Sequence, residues 1–228
     1  MKALFREIKQ NIIDLWGNVI GAVKRAGHDF GSDGRMKPII VFVPGYTFSY
    51  YTVWPNSSIT KLRREGYWVI GFNPGKNTNR DVREHAQDLK NFIEEVCARE
   101  KIDDLVIVAH SMGGVTSRYY LEKLGGEKRV RKLIAISSPF AGTRSAYLAL
   151  HTRAARHMTP RSKFIKELQE FDKYVNRVVS IRAVHDQTIW PTASSVLPGA
   201  KNIQLPITGH NYIKESDEVV EIIKKELS

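Results

Sequence analysis

A single cysteine, Cys97, is all that this 228-residue chain offers to disulfide chemistry, so no internal disulfide framework holds it together. No stretch approaches the roughly 18 uncharged apolar residues that a membrane-spanning helix needs, and Lys9, Asp14 and Lys24 interrupt the N-terminal candidate. No G-x-G-x-x-G opens a strand–helix unit and no Walker sequence occurs, which removes the usual dinucleotide and P-loop functions. Metal-ligand spacing is missing too, so neither a metal nor another cofactor is expected. Acid is locally absent: Lys128 to Lys166 contains ten Lys or Arg and no Asp or Glu.

What remains is an ordinary globular composition, 42% apolar and 26% charged, with 35 basic against 24 acidic residues and a net charge of +11. The basic block favours anionic surfaces or ligands. No nucleic-acid module accompanies it, so nucleic acid is not an expected partner. A solvated basic face is the plainer alternative. Phe5, Ile8, Ile12, Trp16, Val19 and Val23 recur at helical spacing, giving an amphipathic helix within residues 1–34 that ends in the linker Gly31-Ser32-Asp33-Gly34. Asp14 spoils the apolar centre of a secretory signal. A cytoplasmic chain is expected, with the helix packed on protein, in a dimer contact or peripherally on an anionic membrane.

From residue 35 to 228 strands and helices alternate. Pro38–Val43, Tyr67–Phe72, Leu105–Ala109, Leu133–Ile136, Val178–Val184 and Ile203–Ile207 read as strands. Helices are expected over 55–65, Asp81–Arg99, Met112–Leu124 and from Ser216 onwards. The order implies an α/β fold, a mostly parallel sheet of about six strands with helices on both faces. Residues 139–176 break the alternation. Thr159-Pro160 resembles a helix start, and Phe164, Ile165, Leu168, Phe171 and Val175 follow at helical spacing. That insertion is either a small helical cap over a site or a helix packed on the sheet.

Chemistry concentrates at Ala109-His110-Ser111-Met112-Gly113-Gly114, between a buried strand and a helix. A sharp turn there exposes a serine hydroxyl and requires small residues two before and two after it, as Ala109 and Gly113 are. The ordinary alternative is a helix-capping serine. In such a fold the acid and base follow the nucleophile in the chain. His28, His85 and His110 precede Ser111; His110 projects away from it across the turn, and His151 and His157 read as solvated. His185 and His210 remain, and His210, after the last strand in Thr208-Gly209-His210, is the expected base. Asp186 follows the strand before it and is reached by elimination. Asp103 and Asp104 lie at the opposite strand end, Asp172 in the cap and Asp217 beyond the histidine. The backbone N–H groups of Tyr46 and Met112 are the expected oxyanion donors, worth roughly 3 kcal/mol each.

Together these stretches resemble the lipase and esterase branch of the α/β-hydrolase superfamily, particularly small bacterial lipases with an A-H-S-M-G-G elbow. The likeness is carried by Val106–Gly114, by Leu197–His210 and by Pro38–Tyr46, with Pro44-Gly45 where the family more often has His-Gly. It implies a triad of Ser111, Asp186 and His210 and a small-molecule or lipid ester as substrate. Phe140, Phe164, Leu168 and Phe171 are the expected substrate-lining residues. An acyltransferase or thioesterase would use the same residues. A non-catalytic lipid- or protein-binding module is the reading from another class.

Overall fold

The computed structural model describes residues 37–45, 57–74 and 79–228. The chain divides into two units, Met1–Lys37 and Pro38–Ser228, and the second holds the sheet, its helices and the candidate site. The expected helix and linker of residues 1–34 lie outside the described residues, as does Tyr46.

Six strands form one parallel sheet: β1 (Ile40–Val43), β2 (Val69–Gly71), β3 (Leu105–His110), β4 (Val130–Ile136), β5 (Val178–His185) and β6 (Lys201–Thr208), in the order β2-β1-β3-β4-β5-β6. Strand and helix alternate because short apolar runs, buried on both faces, are separated by capped helical segments. Helix α1 (Ser58–Arg64) starts at Ser57 and α2 (Val82–Glu100) at Asp81, each capping side chain accepting a backbone N–H of the first turn. Helix α3 (Met112–Lys123) follows β3 directly. The cap segment holds α4 (Arg153–Met158) and α5 (Lys163–Gln169), and α6 (Asp217–Leu227) closes the chain.

Alternate strand residues divide the core in two. Val41, Ile107, Ala109, Leu133 and Ala135 pack with Leu89 and Ile93 of α2, Val115 and Leu121 of α3, and Phe164 and Leu168 of α5. Ile40, Phe42, Val106, Val108 and Ile134 face Ile59 and Leu62 of α1 and Val219 and Ile223 of α6. The chain runs outward from β1 to β2 and then returns past β1 to β3. The direction of winding therefore reverses between β1 and β3, the position at which open α/β sheets carry their ligand sites.

Two local expectations change. Thr159 and Pro160 terminate α4 rather than begin a helix, and α5 starts at Ser162, whose hydroxyl accepts Ile165 N–H at 3.1 Å. β6 is longer than its apolar pattern, because an edge strand tolerates the partly or fully exposed Lys201, Asn202, Gln204 and Pro206.

Candidate active site

Ser111 directly follows the C-terminal end of β3 with φ 56° and ψ −128°, a backbone state that non-glycine residues rarely adopt. The turn is held by Ser111 N–H donating to Ile136 O at 2.9 Å and Gly114 N–H to Ser111 O at 3.0 Å. Gly113 is compulsory for a spatial reason: a Cβ there would lie 2.4 Å from Val43 O and 2.5 Å from Pro44 O. Gly114 likewise lets α3 approach Ser138 on the far side. Gly45, in the turn after β1, abuts the serine; a Cβ on it would be 2.8 Å from Ser111 Cβ. Met112 is the first residue of α3, so its N–H has no acceptor within the helix.

Asp186 and His210 follow β5 and β6. His210 Nδ1 is 2.8 Å from Asp186 Oδ2, with both side chains nearly inaccessible. The other carboxylate oxygen accepts N–H groups of Thr188 and Ile189, each at 2.8 Å. Burial alone would raise the Asp186 carboxyl, but the His210 contact and these two N–H donors outweigh it and hold it below its ordinary value. Gly209, at φ 116°, turns the chain between β6 and His210, an angle that glycine supplies readily.

His110, which the sequence pattern directs away from Ser111, is part of this arrangement. It is buried, its Nε2 lies 3.0 Å from His210 O, and the two imidazoles are 4.6 Å apart between centroids. The sequence signal is its position next to Ser111, but its partner is 100 residues away. His157, expected to be solvated, stacks at 5.0 Å on Phe164 and approaches Asp81 at 3.5 Å.

Burial first, then the neighbouring His210 and Lys214, push the His110 imidazole well below its ordinary range. Unfolded histidine titrates near 6.5, so below that pH the unfolded chain takes up a proton that the folded His110 refuses. This contribution to stability is complete above pH 6.5 and declines as pH falls, by at most about 1.4 kcal/mol per pH unit. Asp186 loses its own contribution only at lower pH, beginning as pH falls through the ordinary carboxylate range. Melting curves of wild type and His110→Gln between pH 8 and pH 5 should converge or cross in favour of the variant; parallel curves would contradict a proton-refusing His110.

The four expected lining residues separate. Phe140 follows Ser138-Pro139 at the end of β4 and is buried beneath the Arg118 guanidinium, 5.6 Å from its ring centroid. Phe164 and Phe171 meet Tyr119 of α3 at 5.8 and 6.2 Å, and Leu168 is fully buried in the same layer. Tyr119 lies eight residues beyond Ser111, roughly 12 Å along the helix. The apolar face of α5 thus packs on α2 and α3, where Arg83 also pairs with Glu167.

Exposed apolar groups occur instead on the connections after β4, β5 and β6. Tyr147 and Leu148 project from the turn Arg144–Ala149, Trp190 from the segment after Asp186, and Tyr212 from just beyond His210. The first two connections are joined: Arg144 N–H donates to Trp190 O at 2.8 Å, and its guanidinium lies 4.6 Å over the Trp190 ring. Among the described residues no group of three His, Cys, Asp or Glu side chains could hold a metal, and no helix is long and apolar enough to cross a membrane.

A family model described as the alpha/beta hydrolase fold matches residues 38–157. Probable hydrolase R7 of Phoma sp. is 32% identical over 108 residues, covering 45% of this chain and 43% of its own length. Aspergillus fumigatus lipase B superposes with a TM-score of 0.66 at 24% identity, over 78% of this chain and 47% of that one. Bacillus licheniformis lipase BlEst2 in its mature form gives 0.69 at 17% identity, over 84% of this chain and 93% of its own. The matched region is thus less than half the length of the Phoma and Aspergillus proteins, and at these identities the two lipase structures share the fold.

Proposed function

Since this chain belongs to the α/β-hydrolase family, we propose that it cleaves carboxylic esters, in the manner of esterases and lipases, through an acyl-enzyme on Ser111. One observation carries the reading: His210, bonded to Asp186, has its ring against His110, the residue next to Ser111. His210 Nε2 takes the Ser111 hydroxyl proton as Oγ attacks the ester carbonyl carbon. The carbonyl π electrons move to oxygen, where the N–H groups of Met112 and Tyr46 receive the developing charge. Collapse expels the alcohol, which leaves with the proton from His210. Water then gives a proton to His210 and attacks the acyl carbon, and Ser111 departs reprotonated. Asp186 keeps the His210 proton on Nδ1 and stabilises the imidazolium.

Phe140 is the apolar residue assigned to the acyl site. Phe164, Leu168 and Phe171 pack on α3 around Tyr119. A fluorophosphonate probe tests the nucleophile directly: its adduct should map to the peptide bearing Ser111, and a folded protein that resists labelling there would count against the mechanism.

Tyr147, Leu148 and Trp190 are exposed, Arg144 lies over Trp190, and Arg153 and Arg156 follow in α4, a rim suited to peripheral contact with an anionic lipid surface. Leu148 is 90% exposed, so the apolar part of the contact is available without rearrangement. Sedimentation should show stronger binding to phosphatidylserine-containing vesicles than to pure phosphatidylcholine, and Leu148→Asp should weaken it several-fold. Equal binding to both lipids would remove the electrostatic part of this assignment.

A further inference from the structure

On the reading of Ser111, Asp186 and His210 given above, we propose that His110 is a positioning residue. It fixes the backbone of the His210 loop and so aims that imidazole at Ser111.

His110 ends β3 and is 2% exposed. A polar ring in that position is costly to bury unless its nitrogens find partners. Its Nε2 lies 3.0 Å from the His210 carbonyl oxygen, which can only accept, so Nε2 carries the hydrogen. The bond and the tilted ring contact at 4.6 Å bear on the same residue, one on its backbone and one on its side chain.

The other hydrogen bonds at Gly209 and His210 run to the end of β5, within the loop itself or to the connection after β5. Gly209 precedes the histidine at φ 116° and contributes no side chain. Gly209 N–H donates to His185 O at 2.8 Å, and Ile213 N–H returns to Gly209 O at 3.3 Å. At His210 itself, the N–H goes to Gln187 Oε1 at 3.2 Å and Nδ1 goes to Asp186. Both of these partners belong to the connection after β5. The His110 bond is different, because it ties His210 to the strand that carries the nucleophile. One peptide bond separates the anchor from Ser111, so base and nucleophile share a frame of reference. Proton transfer over a hydrogen-bond distance is steeply sensitive to such alignment.

The charged and titratable groups around His110 are His210, Lys214 and Asp186. A donor anchoring His210 must not oppose the imidazolium that forms there during acylation. A neutral imidazole meets that condition, whereas a lysine or arginine would add a cation to a site already facing Lys214.

The test compares His110→Met with His110→Gln, side chains of similar length of which only glutamine can donate. With p-nitrophenyl butyrate, His110→Met should lower kcat by roughly ten- to a hundredfold, the scale of modest misalignment, with KM changed less than threefold. His110→Gln should recover most of the loss. The second readout is the downfield proton resonance of His210 Nδ1–H bonded to Asp186. It should persist in wild type, Ser111→Ala and His110→Gln, and broaden or vanish in His110→Met. If the methionine variant does not fold, His110→Asn, whose amide is too short to reach the carbonyl, takes its place with the same expectation. Wild-type kcat and an intact resonance in the donor-less variant would overturn the proposal, as would a glutamine variant no better than methionine. Full activity in Ser111→Ala would instead defeat the triad reading while leaving the resonance comparison standing.

Discussion

Replacing Ser111 with alanine should lower kcat for p-nitrophenyl ester hydrolysis by roughly 10⁵-fold or more, the scale seen when a triad serine is removed elsewhere. Only the hydroxyl is lost, and the alanine Cβ occupies the place of the serine Cβ beside Gly45. The strain of φ 56° is retained, so the variant should melt within a few degrees of wild type. On the proposed mechanism, substrate binding and the Met112 and Tyr46 N–H groups are untouched by the change, and an acceleration of roughly 10³-fold over water can remain. Steady-state kinetics with a rigorously purified variant decides the matter. A loss below tenfold would mean that another group attacks the ester.

Asp186→Asn should cost roughly 10⁴-fold in kcat with little change in KM, the effect of the same substitution in a serine-protease triad. The reason lies in how the carboxylate is used. One oxygen accepts two backbone N–H groups, from Thr188 and Ile189, while the other accepts His210 Nδ1. An asparagine has a single acceptor. Kept toward the two N–H donors, it turns its own NH₂ toward His210 and forces the imidazole proton onto Nε2. That nitrogen can then no longer take a proton from serine. Turned the other way, it would leave two buried N–H groups facing a third donor, which costs more. Unaltered kcat in a folded Asn variant would show that Asp186 plays no part in catalysis.

Much of this arrangement is legible in the sequence. The strand cores can be read because a strand buried on both faces has to be almost wholly apolar, as Leu105–Ala109 is. The elbow is legible because close packing demands small residues at fixed offsets from Ser111. Asp186 and His210 follow from chain order, and the structure brings their side chains together at 2.8 Å. Other features depend on tertiary partners that no local pattern encodes. The helical spacing of Phe164, Leu168 and Phe171 is real, but periodicity identifies a buried face without saying what buries it. Here it is Tyr119 and its neighbours on α3. His110 escapes a sequence reading for a similar reason: strand alternation says which side a residue takes, not that a loop 100 residues later will meet it there. The exposed rim of Tyr147, Leu148 and Trp190 carries no periodic signature at all.

The reversal of winding between β1 and β3 has a consequence for how such a molecule can diverge. On the proposed mechanism the bond-making groups stand at strand termini, whereas Tyr147 and Leu148 belong to the excursion between β4 and β5 and Trp190 to the connection after β5. A foreign excursion spliced between Ile136 and Val178 would meet the same chemistry. It would need its own counterparts to Glu167, which pairs with Arg83, and to the Phe171 carbonyl that receives Arg118. On that mechanism, the surface offered by Tyr147 and Leu148 can be exchanged with this excursion while Ser111, Asp186 and His210 stay put.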